Sequence, residues 1–148
     1  MKSLKGNITP AIQYKDAPAA IEWLCKVLGF EKHLVVPMPD GKIAHAQLTN
    51  GAGMIMLSSE NDTPYSKHMI SPLDIDNKNT QSLLLYVPDN EIAEHYQNAL
   101  AHKVVMLVEL RSEEYGGQYY SLKDIEGHLW SVGSYDPYAE GKNGKPNS

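Results

Sequence analysis

The order of local signals in the first half of this chain returns in the second half at a fixed offset. "NITPAIQY" alternates as a strand does, and "DAPAAIEWLCKVLGF" carries helical spacing. Three strand candidates follow: "EKHLVVPM", "KIAHAQLT" after the "PDG" turn, and "MIMLSS" after "NGAG". Beyond a polar stretch come "QSLLLYV", "DNEIAEHYQNALAH", "KVVMLVEL", "GQYYSLKD" and "LWSVGSY", again strand, helix, strand, strand, strand. Asp16 corresponds to Asp89 and the "NGAG" turn to "DIEG", an offset of 73–75 residues. The expectation is an α+β protein of two tandem β-α-β-β-β modules.

The helix signals are local. Asp16 is placed to cap the first helix, Pro18 sits in its first turn, and Ile21, Leu24 and Leu28 form one apolar stripe. Gly29 ends it. The second helix is expected to be capped by Asp89, with Ile92, Tyr96 and Ala99 or Leu100 on its inner face.

This order predicts one domain over residues 1–136: module one at 7–58, a connector at 59–80 and module two at 81–136. The connector is polar and broken by Pro64 and Pro72, and a loop of that length usually has a function or links two units. Residues 137–148, rich in Gly, Pro and Asn, read as a polar tail.

Composition removes several classes of function. With 148 residues, 42% of them hydrophobic, the chain can bury a core. The net charge of −5, with no run of Lys or Arg, argues against a nucleic-acid partner. The amino terminus lacks the apolar core of a signal peptide, and no apolar run is long enough to span a bilayer, so no membrane partner and a cytoplasmic location are expected. The single cysteine, Cys25, lies in the apolar helical pattern and is expected to be a buried hydrophobe.

Paired β-α-β-β-β modules with "ITPAIQYKDAPAAIEWLCKVLGF" in front, "DGKIAHAQL" between and "DIEGHLWSVGSY" at the end resemble the vicinal oxygen chelate superfamily. That superfamily includes glyoxalase I, the bleomycin-resistance proteins and the extradiol dioxygenases. "HAQL…MIMLSS" and "GHLWS" look most like its PhnB-like branch. The resemblance covers residues 7–136. It implies curved mixed sheets around a cup, helices on the outer faces, a small-molecule ligand and a homodimer.

In metal-dependent relatives the ligands come from the first and last strands of each module. Laid on this chain, the pattern puts those positions at Thr9, Met56, Ser82 and Ser131. The metals of this family take imidazole nitrogens and carboxylate oxygens, whereas these residues offer hydroxyls and a thioether. Shifting the register by one residue brings in no stronger ligand. No metal and no cofactor are therefore expected.

Period-two alternation then predicts the cup lining. Thr9, Gln13, Met56, Ser82, Tyr86 and Ser131 face in, with Tyr119 and Ser121 in related places. In "KIAHAQLT", Ile43, His45 and Gln47 are expected on the cup side, with Ala44, Ala46 and Leu48 against the helix. His45 beside Gln47 is the weak catalytic candidate, a general base or a ligand-orienting group, weighed against a satisfied strand histidine.

The remaining polar residues rank lower. His33 and His68 read as surface residues, Glu91 and His95 as a weak helical pair, and His102 as a favourable charge at a helix end. Glu113, Glu114 and Tyr115 before "GG" are a hairpin loop or a gate, and Arg111 is the nearby cation. Asp124, Glu126 and His128 fall in a turn, and their side chains are expected in water.

The expected function is a metal-free small-molecule binding protein of the glyoxalase/bleomycin-resistance type that sequesters an antibiotic or other bulky compound. The alternative is a glyoxalase-like lyase or isomerase, with His45 as base or with an unrecognised metal site.

Overall fold

In the computed structural model, residues 6–114 and 116–139 are described, and the chain divides into two compact units, residues 1–71 and 72–148. Tyr115 and the end of the expected tail, 140–148, lie outside the described residues. The stretch read from sequence as one connector is shared: up to Ser71 it belongs to the first unit, and from Pro72 to the second.

The first unit runs β1 (Ala11–Tyr14), α1 (Ala17–Leu28), β2 (Glu31–Pro37), β3 (Ile43–Asn50) and β4 (Gly53–Ser59). Its sheet has the order β1-β4-β3-β2; β1 lies parallel to β4 and the other pairs are antiparallel. The second unit runs β5 (Leu83–Tyr86), α2 (Ile92–Ala101), β6 (Val105–Ser112), β7 (Gln118–Lys123) and β8 (Leu129–Gly133), in the equivalent order β5-β8-β7-β6. The parallel registers match as well: Ala11 pairs with Met56 and Leu84 with Ser131. The repeat inferred from turn positions is thus a repeat of topology and of register.

Alpha-helix α1 forms where its signals put it. Asp16 Oδ1 accepts the Ala19 N–H at 3.1 Å, Pro18 stands in the first turn, and Gly29 takes the left-handed conformation at φ 80°. The Phe30 N–H then reaches back to Leu24 O at 3.3 Å. Ile21, Leu24 and Leu28 are buried over one face of the sheet with Ile12, Tyr14, Ala46, Leu48, Ile55 and Leu57. Burial of each large aliphatic side chain contributes about 1.5–3 kcal/mol. Cys25 is only half-buried, since its position on the helix is at the edge of that stripe; burial still pushes its thiol above the ordinary range.

Three local expectations are corrected. Asp89 does not cap α2: the cap position is Glu91, without a side-chain bond, and the Pro88 carbonyl takes the Ile92 N–H at 3.1 Å. Asp89 Oδ1 instead accepts Ser134 Oγ at 2.7 Å and Gln118 Nε2 at 3.3 Å, fastening the chain that leaves β8. Leu100 is exposed, and Ile92 and Ala99 are the buried residues of α2.

Second, Ile43 is buried and Ala44 exposed, the reverse of strict alternation. The β2–β3 register slips between Val36 and Pro37, and Ser59 Oγ takes the Ile43 N–H at 2.9 Å, which rotates the start of β3.

Third, the 124–128 turn is not solvated. Asp124 and Glu126 are buried and His128 is half-buried. Asp124 Oδ1 accepts the N–H of Glu126 and of His128, both at 3.0 Å, and Oδ2 accepts Trp130 Nε1 at 3.1 Å. The side chain substitutes for water as acceptor, which is what permits its burial.

The connector has structure of its own, with two short 3-10 turns at Ser66–His68 and Pro72–Asp74. Among the described residues no helix is long and apolar enough to cross a membrane.

Candidate functional site

Each sheet has one face covered by apolar packing and one left open, and the expected site residues that lie within strands fall on the open faces. In the first unit, Met56 pairs with both Ala11 and Gln47, so β1, β4 and β3 bring these three side by side. Leu34 of β2 continues the row beyond Gln47. Gln13, His45, Gln47 and Met56 are half-buried there, and Thr9 stands two residues before β1.

Gln47 Nε2 lies 3.2 Å from His45 Nε2. With the amide donating, His45 carries its proton on Nδ1 and its acceptor nitrogen is engaged. A base at His45 Nε2 would first have to give up this bond. Gln13 is also tied: its Nε2 donates to Ser66 Oγ, and Ser66 Oγ to Asn61 Oδ1 at 2.6 Å. These bonds fasten the segment that follows β4 to the end of β1.

In the second unit the open face is a lattice of paired rows. Leu84 pairs with Ser131, Ser131 with Ser121, and Ser121 with Val108. The next row is Tyr86, Gly133, Tyr119 and Arg111. Ser82 lies exposed just before β5, and Tyr86 is exposed. Ser121 Oγ and Ser131 Oγ are 2.8 Å apart. The Arg111 guanidinium lies over the Tyr119 ring, 5.5 Å from its centroid.

A cavity of about 590 Å³ opens on this face, lined by Leu84, Glu113, Gly116, Gln118, Tyr119, Ser131, Gly133 and Tyr135. Of the residues expected from sequence to contact a ligand, Tyr119 and Ser131 line it. Gly133 makes its floor: a Cβ there would lie 3.4 Å from Tyr119 Cβ and 3.7 Å from Leu84 Cδ1. Leu84 and Gly133 fall on this face by the same alternation that carries Ser82, Tyr86 and Ser131. Gln118 and Tyr135 were missed, because they stand at the ends of strands, where alternation carries no information. Glu113 is expected from sequence in a hairpin loop or a gate. The hairpin closes beside it through Glu113 N–H to Gly117 O at 2.9 Å, and Glu113 is among the residues that line the cavity.

His95 is half-buried and reaches a core residue as well as sitting one turn from Glu91. Its Nδ1 meets the hydroxyl of Tyr120, and the two rings are 6.0 Å apart. Tyr120 is fully buried, and burial pushes its phenol well above its usual value. His102, in contrast, does sit at the end of α2, with Nδ1 2.8 Å from Asn98 O.

Thr9, Met56, Ser82 and Ser131 do not fit a divalent metal. Hydroxyls and one thioether carry no charge to offset the dehydration of such an ion, and the Ser131 hydroxyl is already bonded to Ser121. Among the described residues there is no group of three or more His, Cys, Asp or Glu that could hold a metal ion.

Known proteins share this architecture. TioX from Micromonospora sp. ML1 is 27% identical, with a TM-score of 0.67 over 86% of this chain and 94% of its own. The fosfomycin resistance protein FosX from Listeria monocytogenes is 13% identical, with a TM-score of 0.65 over 88% of this chain and 93% of its own, a likeness of fold. The uncharacterized protein Mb0911c of Mycobacterium bovis is 24% identical over 126 residues, 85% of this chain and 81% of that protein. The family model described as Glyoxalase/Bleomycin resistance protein/Dioxygenase superfamily matches residues 8–132. With the model spanning most of its length, the chain belongs to the glyoxalase/bleomycin resistance protein/dioxygenase superfamily.

Proposed function

We propose that this protein binds and sequesters a bulky, partly aromatic small molecule, without a bound metal. The observation that carries the reading is the open cavity of the second unit. Its volume of about 590 Å³ is in the range of sites for drug-sized ligands. Its walls are mostly apolar and aromatic, with the polar groups of Ser131, Gln118 and Glu113 at separate points. Such a lining holds a ligand by contact area and orients it by a few hydrogen bonds. The neutral side chains at Thr9, Met56, Ser82 and Ser131 support the metal-free part.

Residues 1–136 are taken to act as one domain, with Gln13, His45, Gln47 and Tyr86 as further contacts, and the protein is taken to be a homodimer in the cytoplasm. The likeness to FosX, a fosfomycin resistance protein, makes antibiotics a sensible first panel. Isothermal titration of the full chain against that panel tests the reading, and heat of binding should appear for a bulky member. Silence across the panel counts against the sequestering role. Light scattering at micromolar concentration should give twice the chain mass.

The alternative, a glyoxalase-like lyase or isomerase, rests on His45. Its engaged Nε2 favours a positioning role over proton abstraction. Turnover of a hemithioacetal by protein purified without chelator would reverse that preference.

A further inference from the structure

The cavity of the second unit has a chemical asymmetry that narrows its ligand. Among the described residues Glu113 is the one carboxylate in its lining; every other side chain there is a tyrosine, a serine, a glutamine or a leucine. Glu113 is half-buried, and among the described residues no ion pair involves its carboxylate. It is held in place by its backbone. The Gly116 N–H bonds to Glu113 O at 3.1 Å and the Glu113 N–H to Gly117 O, so the hairpin fixes Glu113 at the base of the loop.

Arg111, paired with Tyr119 across β6 and β7, is engaged by an aromatic ring. Arg111 lies over the Tyr119 ring and does not line the cavity. A ligand entering here meets the aromatic and aliphatic surface of Leu84, Tyr119 and Tyr135 together with one carboxylate residue. The net charge of the whole chain, −5, has the same sign.

We propose that this cavity selects organic cations: compounds with an aromatic or aliphatic body and an amine, amidine or guanidine group. The body lies against Leu84, Tyr119 and Tyr135 above the bare backbone of Gly133, and the cationic group donates to the Glu113 carboxylate. An ammonium-to-carboxylate contact in a partly dry site is stronger than a neutral hydrogen bond. The inference rests on the small-molecule binding reading above and adds the charge of the ligand.

Three probes with one aromatic body test it on the full chain: 2-(1-naphthyl)ethylamine, 2-(1-naphthyl)ethanol and 1-naphthylacetate, titrated at pH 7 in 50 and 250 mM salt. The amine should bind at least about tenfold more tightly than the alcohol, with the carboxylate weakest, and the amine's advantage should shrink at high salt. Glu113→Gln, checked for fold by circular dichroism, should bring the amine-to-alcohol ratio close to one. Gly133→Val, whose methyls project onto the cavity floor, should weaken the amine and the alcohol together.

If the three probes bind alike, and Gly133→Val weakens all of them, the cavity is a binding site without charge selection and this inference is wrong while the broader reading stands. A carboxylate that outcompetes the amine also overturns it and points to Arg111. If no probe binds up to millimolar concentration, both readings fall.

Discussion

Asp124 holds Trp130 by its indole, with Oδ2 accepting Nε1–H at 3.1 Å while Oδ1 accepts the N–H groups of Glu126 and His128. One buried carboxylate therefore closes the β7–β8 turn and anchors the largest aromatic side chain of β8. Removing it takes the acceptor from two buried donors and one half-buried donor, each loss worth about 1–3 kcal/mol. Asp124→Ala should cost on the order of 3–5 kcal/mol, and Asp124→Asn less, since the amide keeps one acceptor oxygen. Urea unfolding followed by tryptophan fluorescence reads the difference; a loss under about 1 kcal/mol would show that the turn does not depend on this side chain.

Tyr120 makes alkaline stability a test of the core. Its folded-state phenol is raised well above the ordinary 10.0, chiefly by burial. The unfolded phenol ionises near 10, so the stability linked to Tyr120 is fully present below pH 10 and is lost as pH rises from there towards the folded value. Tyr120→Phe should flatten that alkaline decline and, at pH 7, cost about 1 kcal/mol for the bond to His95. Thermal melts from pH 8 to pH 11 check it, and an unchanged alkaline slope in the variant would assign the decline to other groups.

Glu22 and Lys32 are 2.6 Å apart across α1 and β2. The Lys32 ammonium lowers the Glu22 carboxyl below 4.5, so whatever stability the pair contributes is present above the unfolded carboxyl value and lost as pH falls through the folded one. Both groups are exposed, so salt should screen the pair. Melting midpoints of Glu22→Gln and the parent chain, compared at pH 7 and pH 3, should differ less at pH 3 and less again in 1 M salt.

Gly117 has no substitute. Its φ of +81° is a conformation L side chains rarely adopt, and an added Cβ would lie 2.9 Å from Ser134 Oγ and 3.3 Å from Tyr135 N. Gly117→Ala should lose about 1–3 kcal/mol and displace Ser134 from Asp89. Because Tyr135 lines the cavity, ligand affinity should fall with stability, which a titration beside a melt will detect.

For the first unit, His45→Ala should weaken binding of a ligand found in the panel while circular dichroism stays native; equal affinity would remove His45 from the site. Treatment with chelator followed by dialysis should leave both the melting midpoint and that affinity unchanged, because Thr9, Met56, Ser82 and Ser131 are poor metal donors. A drop in either would reveal ligands outside these four positions.

Much of the architecture was legible in the chain itself, for reasons that are local or periodic. Asp16, Pro18 and Gly29 define α1 through bonds and dihedrals within a few residues, and Ile21, Leu24 and Leu28 fall on one stripe because the helix repeats every 3.6 residues. Alternation put Met56, Gln47, Tyr119 and Ser131 on the open faces because a strand repeats every two residues. The spacing of the two modules followed from the same signals repeated.

What only the tertiary structure decided is what long-range partners decide. Asp89 resembles a cap by position, yet Ser134 and Gln118 claim its carboxylate from 45 and 29 residues away. Ile43 and Ala44 exchange faces because β2 slips against β3. Asp124 is buried because Trp130 and two backbone donors satisfy it, and Glu113 lines a cavity because a hairpin closes behind it. Sequence periodicity assigns a side chain to a face. Whether that face holds water, a hydrogen-bond partner or a ligand depends on which distant groups the fold brings against it.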